Sequence, residues 1–312
     1  MKADPGFYDY WPYENRPRIE WPGGARVAFW VAPNIEYYEL DPPVNPYRKA
    51  WPQPYPALPG YSIRDYGNRV GHIRQMEVLD RYGVRGSISL STALCEHHPE
   101  IIAMCAERDW EFFSHGIYNT RYTYGMSVEQ ERDMIRDSME TIQRHTGQHC
   151  AGYLAPALSH SELTLDLFAE VGTELAGDDA GIYTCDLFHD DQPTPIHLRS
   201  GKAFVSVPYS LEMNDTIAYV VNKIEPRRYG QMLRDNFDRL YQEGETSGTV
   251  MCIPTHNYQV SCPHRLRAFE EALEYITGHS EVWVTTGREI ARHFIDHYYQ
   301  QCADDIATRG VG

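Results

Sequence analysis

The 312-residue chain is short of positive charge: 28 Lys and Arg stand against 44 Asp and Glu, a formal charge of −16. Phosphate backbones and anionic lipid repel such a surface at long range, so neither nucleic acid nor a membrane is an expected partner. Cysteine occurs seven times, an odd number, and never as a C-x-x-C pair. That usage suits a reducing, cytoplasmic compartment better than a disulfide framework. No run of about 18 predominantly apolar residues could span a bilayer. Met1-Lys2-Ala3-Asp4-Pro5 leads into aromatic and charged residues with no apolar core of a targeting signal. Internal repeats and low-complexity tracts are also missing.

What is present is an alternation. Short apolar runs rich in β-branched and aromatic residues lie at 27–31, 86–90, 111–113, 152–154, 181–184, 204–207, 250–253 and 282–284. Helical patterns fill 68–82, 99–108, 127–145, 226–243, 263–278 and 286–297, and Ser127 with Gln130 forms a capping-box signature. Strand and helix in turn predict a parallel sheet with crossover helices. About eight strands favour a closed (β/α) barrel, and the missing G-x-G-x-x-G and G-x-x-x-x-G-K-[ST] loops weigh against a nucleotide-binding sheet. One catalytic domain spanning 1–312 is expected, with the proline-dense stretch 41–60 as an ordered, extended surface arm.

In such a barrel the residues just past the strand ends face the active-site mouth. Asn34 and Glu36 follow the first strand, Ser114 and His115 the third, and Asp190 and Asp191 the fifth. Tyr209, Glu212, Asn214 and Asp215 follow the sixth, and Thr255-His256-Asn257 the seventh. Strand-to-helix loops are polar in any case, and Asp or Asn there often caps a helix. His115 and His256, directly after buried strands, are poor caps. Arg69 could hold a substrate carbonyl or carboxylate in its planar fork.

Asn34-Ile35-Glu36, Ser114-His115-Gly116-Ile117-Tyr118-Asn119, Gly152-Tyr153-Leu154-Ala155-Pro156, Asp190-Asp191-Gln192-Pro193, the stretch from Pro208 to Asp215, and His256 with Pro263-His264-Arg265 together resemble the polysaccharide deacetylase (NodB-homology) superfamily. Within it the chain is most similar to the allantoinase-like and cyclic-imide-hydrolase-like branch. The resemblance implies an α/β fold, a distorted (β/α)7-8 barrel, that hydrolyses C–N amide bonds. It further suggests a homo-oligomer, a tetramer being one form.

The family pattern places a general base and a metal-binding aspartate after strand one, then H-x-x-x-H with two further ligands. Here Glu36 matches the base, Tyr37 falls at the metal aspartate, His115 matches the first histidine and Asn119 replaces the second. Phenol and amide are weak zinc donors at neutral pH, so no metal is expected. A zinc site rearranged around Glu36 and His115 is the second choice. The family's usual arginine is replaced near Leu154.

Amide hydrolysis needs an activated water, a stabilised oxyanion and a proton for the leaving nitrogen. Glu36 is expected to take the proton from water, with backbone amides and His115 facing the oxyanion. His256 would supply the proton, with Glu212 or Asp191 orienting a histidine. Arg69, Asn34, Tyr37, Asn119, Pro156, Tyr209 and Asn214 are the expected substrate-binding residues. A ring imide or ureide suits a weak metal site, because its nitrogen leaves as a stabilised anion. The expected substrate is therefore a small cyclic amide. A metal-dependent polysaccharide or oligosaccharide N-deacetylase and a non-catalytic metabolite-binding descendant are the alternatives.

Overall fold

The computed structural model describes residues 6–42 and 56–309. Among the described residues nine strands form one sheet: β1 Val27–Ile35, β2 Ser87–Leu90, β3 Glu111–Ser114, β4 Gly152–Tyr153, β5 Tyr183–Thr184, β6 Thr194–Pro195, β7 Val205–Ser206, β8 Thr249–His256 and β9 Val282–Val284. The order is β6-β7-β5-β4-β3-β2-β1-β8, with β9 also paired to β1. Every pairing is parallel except β6 with β7. β1 and β8 run alongside each other over eight residue pairs, from Val27↔Thr249 to Asn34↔His256. β1 is buried along its whole length, as a continuous apolar run in a parallel sheet must be.

The expected strands are thus present, and β6 is an addition. Closure is where the structure differs from the sequence expectation: among the described residues no strand ladder joins β8 to β6, and the sheet curls into a half-barrel. The gap is bridged at the end of the barrel where β8 begins. Val250 N donates to Asp191 O at 2.9 Å, and Gln192 Nε2 donates to Ser247 Oγ at 2.8 Å and Gly248 O at 2.9 Å. Arg16 Nη1 meets Asp190 Oδ2 at 2.8 Å. The 190–193 segment is therefore a clasp at the end opposite the strands' C-terminal mouth.

Six helices lie where periodicity places them, including Val128–Thr146, whose capping box makes both of its bonds. Helices Leu58–Tyr66, Thr164–Ala176 and Tyr299–Arg309 are further additions. The first overlaps the proline-dense stretch: Pro59 sits in its first turn, where a missing N–H costs nothing. Of the expected arm, 43–55 lies outside the described residues. Among those described, no helix is long and apolar enough to cross a membrane.

Side-chain alternation along β1 sorts the core. Val27, Phe29 and Val31 pack outward against the helices, while Ala28, Trp30 and Ala32 belong to a second cluster with Phe113, Tyr183, Val207 and Tyr209. Asn34 continues the period of this second face. The barrel interior is thus packed solid below, and its upper end opens at Asn34 and Glu36.

Candidate active site

Three parallel strands end together. Glu36 follows β1, His115 follows β3 and His256 closes β8, all three less than a tenth exposed. His115 Nε2 stands 3.5 Å and His256 Nε2 3.7 Å from Glu36 Oε1. Asn119 Nδ2 donates to Glu36 Oε1 and the Tyr258 hydroxyl to Glu36 Oε2, both at 2.5 Å.

Each imidazole is fixed through its other nitrogen. The His115 Nδ1 lies 2.9 Å from the Leu154 carbonyl, which can only accept, so Nδ1 carries the hydrogen. With Nδ1 held by that carbonyl, His115 presents Nε2 toward Glu36 and the space in front of it. His256 Nδ1 donates to Asp215 Oδ1 at 2.6 Å. Asp215 is completely buried and also accepts from the backbone N–H of His256 and of Val260. A carboxylate held by backbone donors is a rigid orienter.

Electrostatics sets the proton states. Burial pushes the Glu36 carboxyl up, but His256, His115 and Arg64 outweigh it and bring it down to about 2. Burial pushes His256 down, yet Asp215 and Glu36 raise it above its ordinary value. Burial and Glu36 raise the Tyr258 phenol well above normal, so it remains a hydrogen donor. Each shift favours the charged form, a carboxylate facing an imidazolium.

These groups line a cavity of about 660 Å³. Its walls include Tyr61, Ile63, Leu154, Leu158, Leu211, Ile217 and Val220. Ala157 and Leu158, at φ 49° and 56°, are in the left-handed region that non-glycine residues avoid. Asn119 Oδ1 holds that turn by accepting from Ala157 N at 2.9 Å. Gly116 is required beneath it, since a Cβ there would stand 2.4 Å from Pro156 Cγ.

The sequence-derived residues divide accordingly. Glu36, His115, His256, Asn34, Asn119, Tyr209 and Asn214 line the cavity. Asn34 Nδ2 donates to the Tyr209 hydroxyl at 2.8 Å, and Asn214 Oδ1 accepts from Thr216 N at 2.9 Å. Pro156 is buried behind the wall against Gly116. Tyr37 turns away and stacks on His97 at 4.2 Å between centroids. Arg69 is exposed and paired with Asp65 at 2.7 Å. Glu212 is exposed outside the cavity, and Asp191 belongs to the distant clasp. Neither orients a histidine: that place belongs to Asp215, which the sequence reading put at the rim without a role.

Among the cavity residues that the sequence reading missed, Arg64 and Tyr258 are the ones that bear on Glu36. A signal existed for Arg64. Gly60, Gly67, Asn68 and Gly71 mark the packed face of its helical segment, and Arg64 lies one turn before Asn68 on that face while Arg69 is turned outward.

Tested against a divalent metal, the donor set does not fit. Each Glu36 oxygen already accepts a hydrogen bond, from Asn119 or from Tyr258, Asn119 points its N–H toward the site, and Tyr37 is absent from it. Among the described residues no three His, Cys, Asp or Glu side chains converge as a metal would need.

Comparison with known proteins agrees with this architecture. Residues 65–176 match the polysaccharide deacetylase family model. A peptidoglycan deacetylase of Helicobacter pylori is 25% identical over 262 residues, 74% of this chain and 85% of that protein. The crystal structure of PuuE allantoinase superposes with TM-score 0.79 at 25% identity, covering 91% of this chain and 95% of that one. A probable polysaccharide deacetylase of Pseudomonas aeruginosa PAO1 shares the fold, with TM-score 0.78 at 24% identity over 91% and 96% of the two chains. The half-barrel with its mouth at the ends of β1, β3 and β8 thus shares the fold of these proteins, the distorted barrel of the NodB-homology type.

Proposed function

We propose that the protein is a metal-independent hydrolase of carbon–nitrogen bonds that opens the ring of a small cyclic amide, imide or ureide. The observation that carries this reading is the Glu36 carboxylate facing His256, itself held by Asp215, inside a cavity walled largely by aliphatic and aromatic side chains. A saccharide presents hydroxyls in every direction and calls for a polar wall, whereas a flat ring with one polar edge suits these walls. Likeness to an allantoinase supports the same class.

Water held between His115 Nε2 and Glu36 attacks the ring carbonyl, and Glu36 takes its proton. The C–N bond then breaks, and His256 Nε2 delivers a proton to the nitrogen. A carboxylate held near 2 is a weak base at rest. As His256 gives up its charge, the main group depressing Glu36 disappears, so Glu36 holds the proton it has taken until the nitrogen has been protonated. The proton on Glu36 then passes to His256, which restores both groups, and the new carboxylic acid ionises, so one proton leaves to solvent per turnover.

The family match and the Helicobacter pylori relative support a second reading, N-deacetylation of an acetylated sugar. A pH-stat assay of chelator-treated protein separates the two. Succinimide, hydantoin or allantoin should consume base without added metal, and Glu36→Gln should lower the rate about 10³-fold. Acetate release from chitooligosaccharide, dependent on added zinc and without ring opening, would replace the first reading by the second.

A further inference from the structure

Arg64 enters the cavity from helix Leu58–Tyr66, beside the reacting groups. Its guanidinium carbon lies 3.8 Å from the ring centroid of Tyr38 and 4.7 Å from that of Tyr258. Nη1 donates to the Gly60 carbonyl at 3.3 Å, while Nε is buried and has no acceptor among the described residues. Nor does Arg64 make a direct ion pair there, unlike Arg69 on the outer face. A buried donor left without an acceptor is costly. Two aromatic faces nevertheless hold this planar cation in one orientation next to the bond-breaking centre, which is how a guanidinium recognises a carbonyl or carboxylate.

We propose that Arg64 receives the second carbonyl of the substrate, so that the site selects rings whose scissile nitrogen lies between two carbonyls. The inference rests on the ring-opening reading above. When water adds to one carbonyl carbon and the C–N bond breaks, the nitrogen pair spreads into the other carbonyl. Negative charge then grows on that oxygen, opposite the guanidinium, until His256 protonates the nitrogen. A lactam or an N-acetyl group has no such oxygen to meet the guanidinium, and a site built to meet a polar group discriminates strongly against an analogue lacking it.

Succinimide and 2-pyrrolidinone are five-membered rings that differ by one carbonyl. Their binding to wild type, Arg64→Gln and Arg64→Lys is measured by calorimetry, with thermal melts of each variant and succinimide turnover followed in parallel. Wild type should bind succinimide at least about 10-fold more tightly than 2-pyrrolidinone. Arg64→Gln should erase that difference while leaving 2-pyrrolidinone unchanged, and Arg64→Lys should restore only part of it. Equal binding of the two rings by wild type overturns the proposal whether or not a variant folds. An undiminished preference in Arg64→Gln, or an equal loss for both rings, also overturns it. Turnover is read separately. A succinimide preference dependent on Arg64 with no hydrolysis sinks the ring-opening reading but leaves the carbonyl contact standing, whereas hydrolysis with no role for Arg64 does the reverse.

Discussion

At the scale of single residues, the site is a lesson in what neighbours do to a proton. Glu36 and His256 are both buried, and burial alone would neutralise each. Instead each keeps the other charged, with Asp215 behind the imidazole. The proposed mechanism needs ionised Glu36 and protonated His256, which sets two pH limbs. Activity falls on the acid side only as Glu36 is protonated, well below the ordinary carboxylate range. It falls on the alkaline side as pH rises through the His256 value, which is raised. Asp215→Asn removes one of the charges that favour imidazolium, so the alkaline limb should move to lower pH. A kcat/KM profile from pH 5 to 10 reads this directly. A limb that stays in place while activity drops uniformly would mean that Asp215 is only a structural brace.

At the scale of elements, the site depends on how closely one helical segment approaches one loop. A π-helical turn, Gly67–Gly71, follows the helix that carries Arg64 and packs on the loop after β8. A Cβ at Gly71 would stand 2.0 Å from the Asn257 carbonyl oxygen, and one at Gly67 would stand 2.3 Å from Asn257 Oδ1. Backbone cannot yield as a flexible side chain does, so Gly71→Ala should push the segment away from Tyr258. The expected cost is about 1–3 kcal/mol in urea unfolding, with a further loss of kcat/KM. Val70→Ala on the exposed face should stay within about 0.5 kcal/mol. The same elements show what was legible in the sequence. Strands and long amphipathic helices carry a period, so β9 and Pro226–Glu243 match the expected ranges residue for residue. Strand order then places Glu36, His115 and His256 at one mouth without any knowledge of contacts. Whether a side chain on a loop turns inward carries no such period. Tyr37 and Glu212 differ from Glu36 and Asp215 by one and three positions, yet the first pair faces out and the second in. Arg69 and Arg64 sit on opposite faces of a continuous helical run that proline-rich sequence disguises.

At the scale of the whole molecule, a half-barrel has to manage two edges that never pair. In this fold the 190–193 segment does so at the end remote from the chemistry, which explains why acids there resembled a catalytic motif yet serve another purpose. Two of its contributions can be told apart. Asp191 acts through its main-chain carbonyl, to which Val250 N donates, and a side-chain change leaves that bond intact. Asp190 acts through its carboxylate on Arg16, with side chains only 12% and 8% exposed. Arg16 also donates to the Trp11 and Pro12 carbonyls and lies 4.2 Å from the Trp11 ring centroid, tying the N-terminal segment to the clasp. Removing one member of a buried pair strands the other charge, at a cost of about 3–5 kcal/mol. Arg16→Ala should therefore lower stability by about 3 kcal/mol in chemical unfolding. Asp191→Ala should change stability and turnover little. Since the clasp and the mouth lie at opposite ends of β8, the folded fraction of Arg16→Ala should keep its kcat/KM. A selective loss of turnover in Asp191→Ala would return that side chain to the reaction, and an unaffected melt in Arg16→Ala would show that the half-barrel holds its edges by packing alone.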